Sequence, residues 1–306
     1  MNLLTDDIDF AAYERETEAK ARVKPASVYV AELIDRLGKP LLIAGQALPW
    51  EKARSVFRFR PGEVTLWAGV NGHGKSLMTG LVALDMVAQG KKTCIASFEM
   101  KPRSTLERML RQWTATPAYL VAGHEQGIAD MRELYTQFEA MSDRNLWFYD
   151  QQGTVATKQM VSVARYCAKE LGIEHLFIDS LMKCVRGTDD FNAQKNFVDE
   201  LTSIARDYGC HIHLVHHIRK LENELKKPDK TDVKGAGEIT DQVDNVLLVW
   251  RNKAEPRKDG DPDAALICCK QRHGEWEGGI NLWFHKESQQ FVECYGGEPI
   301  NFFDRG

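Results

Sequence analysis

From residue 60 onward, short apolar runs alternate with stretches whose apolar residues recur every three to four positions. The runs fall at 64–68 (VTLWA), 93–97 (TCIAS), 146–149 (LWFY), 175–179 (HLFID), 211–215 (HIHLV) and 245–250 (NVLLVW). Helical periodicity fills 75–89, 103–114, 128–141, 156–171 and 193–207. Short apolar strands separated by helices predict an α/β fold, a mainly parallel sheet covered by helices on both faces. After residue 264 the pattern changes. Residues 264–269, 280–284 and 290–293 are strand-like runs with turn-like joints and no helix between them. That predicts antiparallel strands at the C-terminal edge of the sheet. Asp259-Gly260-Asp261-Pro262-Asp263 reads as a turn.

The first 58 residues differ, and the expected division is a helical arm over 1–58 and one nucleotide-binding domain over 59–306. Residues 10–22 are charged and helical in pattern. In 27–37, Val30, Leu33, Ile34 and Leu37 recur at helical spacing, with Ser27 as an N-cap after Pro25, and Gly38-Lys39-Pro40 stops the pattern. The stretch is too short for a core of its own. Two readings stand: a decorative extension, or a linker arm whose apolar stripe docks on a neighbouring subunit, since such a stripe wants a partner.

The candidate chemistry centres on Arg60 to Ser76, RPGEVTLWAGVNGHGKS. Residues 69–76 match G-x-x-x-x-G-K-[ST], placed between a strand and a helix as a phosphate-binding loop requires. Glycines at 69, 72 and 74 let the backbone curl so that several N–H groups face one point, and the following helix adds its positive end. The candidate nucleotide contacts are Gly69, Asn71, Gly72, His73, Gly74, Lys75, Ser76 and Leu77. Lys75 can reach the β and γ phosphates and the Ser76 hydroxyl can ligate Mg²⁺.

Other polar residues sit where strands end. Asp179 closes HLFID, where a carboxylate beside a phosphate loop holds Mg²⁺ directly or through water. Glu99 follows the second strand in SFEM. Its position alone leaves two readings open, a carboxylate that orients the attacking water or a surface residue capping the next helix. His216 and His217 end the strand HIHLV, where a polar group can register the γ-phosphate. His211 and His213 point the same way on that strand, and with no further ligand within it they read as ordinary sheet histidines. Lys270 and Arg272, in CCKQRHGEWEG, leave a strand into a glycine-bearing turn. Arginine suits a developing phosphoryl charge and is often supplied by another subunit; a solvated basic turn is the plain alternative.

Two loops are candidate polynucleotide contacts. One is 182–196, with Lys183, Arg186 and Lys195. The other is 219–237, with Arg219, Lys220, Lys226, Lys227, Lys230, Lys234 and Gly235-Ala236-Gly237. A long polar loop in a compact domain usually means function or disorder, and basic side chains there can track a phosphate backbone.

Composition narrows the class. The chain has 306 residues, 43% hydrophobic and 27% charged, with a formal net charge of −4, so any nucleic-acid contact must be local. The 7 cysteines contain no C-x-x-C and read as reduced buried thiols. No apolar run approaches ~20 residues, so no membrane span is expected. The acidic start MNLLTDDIDF lacks a signal peptide's basic region. The expected location is cytoplasmic, including the cytoplasm of a bacterial host for a phage-encoded chain.

Taken in order, LPW at 48–50, RPGE at 60–63, the phosphate loop, SFEM, IDSL, HHIRK, DVKGAGEITDQVDNVLLVWR and KQRHGEWEG resemble the RecA-like motor domain of ring-forming replicative helicases. The likeness is to the DnaB type, and more closely to the helicase halves of phage primase–helicases and Twinkle. It covers about residues 48 to 293. RecA recombinases share the first pieces but not the terminal K-x-R-x-G turn. The resemblance implies ATP or dTTP with Mg²⁺ at Lys75, Ser76 and Asp179. It implies Glu99 as the catalytic carboxylate, His217 as the phosphate sensor, and Arg272 with Lys270 as the group inserted into the neighbour's site. It implies a head-to-tail homo-oligomer, a hexameric ring, around single-stranded or forked DNA, with both basic loops lining the channel and the arm packed on the adjacent subunit. With only about 58 residues read before the motor and no primase module among them, two expectations stand: a stand-alone helicase, or one served by primase, polymerase or loader from separate chains. Rival readings are a RecA- or RadA-like recombination ATPase and a DNA-dependent ATPase that does not unwind.

Overall fold

The computed structural model describes residues 2–3, 26–27, 30–31, 34, 37, 45–121, 123–185, 190–219, 225–233, 236–254, 256 and 258–302. In chain order the strands are β1 (Asn2–Leu3), β2 (Gln46–Ala47), β3 (Arg58–Phe59), β4 (Val64–Gly69), β5 (Thr93–Ser97), β6 (Leu146–Phe148), β7 (His175–Asp179), β8 (His211–His217), β9 (Asn245–Arg251), β10 (Ala264–Gln271), β11 (Gly278–His285) and β12 (Gln290–Val292). The helices are α1 (Glu51–Arg54), α2 (Lys75–Ala88), α3 (Pro102–Thr114), α4 (Glu125–Ser142), α5 (Thr157–Lys169), α6 (Leu181–Cys184), α7 (Phe191–Tyr208) and α8 (Ala236–Gln242).

One 10-stranded sheet carries the fold, in the order β1-β6-β5-β7-β8-β4-β9-β10-β11-β12. Pairing is parallel from β1 to β9 and antiparallel from β9 to β12. This is the predicted α/β class with its antiparallel C-terminal edge. The central strands are apolar throughout because each face is covered. Along β4, Leu66 and Ala68 pack toward α5 and α7, while Trp67 packs toward α2 and β9–β11. A strand of period two with both faces buried reads as a continuous apolar run.

Three local expectations change. Residues 45–58, read as part of the arm, pack into the body beside Phe59: Leu48, Trp50, Ala53, Phe57 and Phe59 are buried, and Trp50 Nε1 donates to the Phe291 carbonyl at 2.7 Å. Lys195, read as a loop residue, lies on α7, because Asp190 caps that helix through the Ala193 N–H at 2.9 Å and starts it early. The 219–237 loop is partly ordered by short-range bonds. Val233 bridges Ile218, Asp229 and Asp232 form a capping box around Lys230–Asp232, and Gly237 stands inside α8. Of the arm's stripe, Val30, Ile34 and Leu37 are exposed in the single chain, and Leu33 lies outside the described residues.

His211 and His213 do sit on one face of β8, and His175 joins them from β7. The hydrogen bonds set their tautomers. Trp67 Nε1 can only donate, and it donates to His213 Nδ1 at 3.2 Å. His213 Nε2 therefore donates to His175 Nδ1 at 3.1 Å, and His175 Nε2 donates to Gln46 Oε1 at 2.9 Å. His211 Nδ1 donates to the Arg60 carbonyl at 2.6 Å and its Nε2 accepts from the Thr65 hydroxyl at 2.8 Å. Every ring nitrogen is engaged in the neutral form, which leaves no lone pair for a metal. Burial pushes the His211 imidazole down to about 4, and burial likewise lowers His175 and His213 well below 6.5.

Candidate nucleotide site

The parallel strands β4, β5, β7 and β8 end on one edge, and their register sets the tips side by side. Gly69 pairs with His217, Ser97 with Asp179, and Asp179 with Val215. Crevices outside the carboxyl ends of such strands are where α/β folds bind ligands. Here the crevice is a cavity of about 500 Å³ lined by Asn71, Gly72, Gly74, Lys75, Ser76, Leu77, Glu99, Met100, Arg108, Asp179 and His217.

The loop's glycines do different work. Gly72 and Gly74, both lining the cavity, take φ of 76° and 90°, the left-handed region that glycine enters at little steric cost. Gly69 is needed for close approach, since a Cβ there would stand 2.4 Å from the Val249 carbonyl oxygen. Lys75 opens α2, and its ammonium donates to the carbonyls of Gly69 at 2.9 Å and Val70 at 3.1 Å. Burial lowers the Lys75 pKa, against the pull of Asp179 and Glu99. Gly69 and His73, named among the nucleotide contacts, stand behind the loop. The His73 ring is buried and its Nδ1 accepts the Arg251 N–H at 3.2 Å, which ties the loop to the end of β9.

Ser76 hydrogen-bonds the Asp179 side chain. Burial raises the Asp179 carboxyl, and Ser76 opposes that shift by favouring the anion. A hydroxyl and a carboxylate held together in a cavity of backbone donors form a hard oxygen set that fits Mg²⁺ beside a polyphosphate. Glu99 is half-exposed and faces the same space, with the Lys183 ammonium of α6 at 4.0 Å. Lys183, expected on DNA, thus stands beside the candidate catalytic carboxylate. His217 lines the cavity at the tip of β8 and His216 is buried behind it.

Arg108 was not singled out from the sequence. It lies on α3, where burial lowers its pKa against the attraction of Asp179. Its neighbour Met109 is buried, so this stretch of α3 packs on the sheet. The signal the sequence offers for it is a cation on the helix just after Glu99.

Arg272 and Lys270 are elsewhere. Strand β10 runs against β9, so Gln271 pairs with Asn245 at the foot of β9, opposite the phosphate loop. A six-residue strand spans roughly 20 Å, beyond the reach of these side chains. Lys270 Nζ donates to the carbonyls of Thr240 at 2.7 Å and Asp241 at 2.9 Å, at the end of α8. Arg272 Nε lies 3.1 Å from Oδ1 of the buried Asp244.

The basic loops are less uniform than their composition suggests. Arg219 and Lys226 are exposed. Lys227 is held against the body, its Nζ donating to Asn281 Oδ1 at 3.2 Å and lying 5.6 Å from the Trp250 ring centroid. Arg186, Lys220, Lys234 and Gly235 lie outside the described residues. No helix among the described residues is long and apolar enough to cross a membrane.

The family described as DnaB-like helicase C terminal domain matches residues 54–293. The Arabidopsis thaliana Twinkle homolog protein, chloroplastic/mitochondrial, is 22% identical over 221 residues, which is 69% of this chain and 31% of that protein. The chain thus spans about a third of that relative. Among solved structures, the ATPase domain of G40P superposes with a TM-score of 0.74 at 18% identity, covering 88% of this chain and 97% of that one. A DnaB-like replicative helicase, described together with its interactions with primase, gives a TM-score of 0.69 at 18% identity over 87% of this chain and 65% of that one.

Proposed function

The chain belongs to the DnaB-like helicase C-terminal domain family, and from that premise we propose that it is the motor of a replicative DNA helicase. It hydrolyses ATP or dTTP between subunits of a head-to-tail ring, a hexamer, and translocates on single-stranded DNA. One observation carries the reading: the loop, Ser76, Asp179, Glu99 and His217 line one cavity, while Lys270 and Arg272 sit at the far end of the same sheet. Each chain then holds a triphosphate and offers cations to its neighbour.

The roles follow from position. Backbone N–H groups at 71–76 and Lys75 cradle the phosphates. Ser76 and Asp179 would hold Mg²⁺, which would supply positive charge beside the phosphates. Glu99 orients the attacking water. His217 hydrogen-bonds the γ-phosphate and, as the last residue of β8, passes its loss on to Arg219 and the loop beyond. Arg108 adds positive charge over the cavity from the same chain, and Arg272, with Lys270 beside it, adds it in trans. The DNA contacts are assigned to the 182–196 and 219–237 stretches, carried by the exposed Arg219 and Lys226 rather than by Lys183 and Lys227, which are engaged within the chain, and residues before 45 are assigned to the arm that docks on the next subunit.

The test is unwinding of a forked duplex with a 5′ tail, together with mixed assemblies. Arg272→Ala chains should poison the sites of wild-type neighbours. Undiminished hydrolysis in such mixtures would refute the trans role. Strand pairing without unwinding would favour the recombinase reading.

A further inference from the structure

Arg272 is long and flexible, and a cation acting across an interface must arrive in one geometry. Holding a rotamer-rich side chain in place costs entropy unless the resting protein already holds it. Asp244 does this here. It precedes β9 and is itself tied down: its Oδ2 accepts the Val64 N–H at 2.9 Å, its own N–H donates to the Val64 carbonyl at 2.9 Å, and its carbonyl accepts the Arg272 N–H at 2.9 Å. Oδ1 meets Arg272 Nε at 3.1 Å, with Arg206 Nη2 of α7 at 3.8 Å from the same oxygen. Among the described residues, Arg272 Nη2 makes long contacts, 3.4 Å to the Asp241 carbonyl and 3.3 Å to the Gln242 carbonyl. The guanidinium is thus gripped firmly by Nε, and its outer edge is lightly held and open to solvent.

We infer that Asp244 is a positioning residue for the trans reaction: it fixes Arg272 by Nε so that the Nη edge faces the cavity of the next subunit. The inference rests on the trans role proposed for Arg272. Val64 opens the strand whose last residue, Gly69, begins the phosphate loop. One buried carboxylate therefore anchors both the foot of the loop's strand and the cation offered to the neighbour. A purely structural ion pair would hold the fold together and leave the neighbour's chemistry alone, which separates the two explanations.

The experiment uses mixed assemblies in which wild-type chains are scarce and donor chains abundant. Donors carry Lys75→Ala, so their own cavities are dead and they contribute only their cations. Three donors are compared: Lys75→Ala alone, with Arg272→Ala, and with Asp244→Asn. Asparagine keeps an acceptor for the Val64 N–H and loses the charge. The Asp244→Asn donor should lower kcat of the wild-type sites about 100-fold, the scale of an ~1 Å misplacement. KM should be unmoved, and adding Arg272→Ala should cause no further loss. Full kcat with the Asp244→Asn donor, while the Arg272→Ala donor fails, overturns the inference and spares the trans reading. Full kcat with the Arg272→Ala donor overturns both. A second measurement needs no variant: in nucleotide-bound assemblies of the wild-type chain imaged by electron microscopy, Arg272 Nε should remain on Asp244, and an Arg272 that has left it refutes the inference.

Discussion

Acidification should destabilise the folded chain steeply, and the buried imidazoles say by how much. In the folded state His211 titrates near 4, and His175 and His213 also lie well below the ordinary 6.5. In the unfolded chain all three regain about 6.5. Below that value the unfolded state binds more protons, so stability is present above it and is lost as pH falls. Between about pH 7.5 and about pH 5.5 each imidazole contributes a loss of about 1.4 kcal/mol, roughly 4 kcal/mol for the three together. The window stops there because Glu63, whose carboxyl burial raises above 4.5, works in the opposite sense at lower pH. The assay is urea unfolding at fixed protein concentration, with the free energy in water plotted against pH. His211→Gln, which retains a donor and an acceptor, should remove about a third of the slope. A free energy that changes by less than about 1 kcal/mol over this window refutes the neutral network, because three protonation-resistant imidazoles cannot leave it flat.

Three further outcomes are expected. Arg108→Ala should lower kcat by roughly 10²–10³-fold, as for loss of a preorganised charge-stabilising donor, without shifting the thermal midpoint; an unchanged kcat in steady-state assays rules out a role over the cavity. Gly69→Ala must push β4 from β9, because its Cβ would sit 2.4 Å from the Val249 oxygen; calorimetry should show a loss of about 1–3 kcal/mol, and nucleotide titration a weaker affinity. Trp50→Ala should cost about 3–5 kcal/mol if residues 45–59 belong to the motor's core, and denaturant unfolding that matches wild type contradicts that packing.

The phosphate loop, Asp179 and the strand order of hydrophobicity were legible because each is local: a spacing, a tip residue, a buried run. The turn from parallel to antiparallel pairing was legible for the same reason, since no helix separates 264–269 from 280–284. What escaped reading depends on contacts across the sheet. His175 lies 36 residues before His211, and only the parallel register of β7 with β8 brings them together. Arg108 owes its place to the packing of α3. Asp244 looks like one of two acids in TDQVDN, and only the antiparallel return of β10 brings Arg272 onto it. The loops misled where a capping aspartate outweighed composition, as Asp190 does at α7.

That return of β10 gives the chain two unlike ends, a pocket at one and a pair of cations at the other. If the cations act in trans as proposed, a linear head-to-tail row of such chains strands one empty-handed pocket at its start and one idle cation pair at its finish. Joining the extremities turns those two spare halves into one more working junction. A circle is thus the smallest arrangement in which nothing is left over, and its output per chain should jump at the moment it shuts.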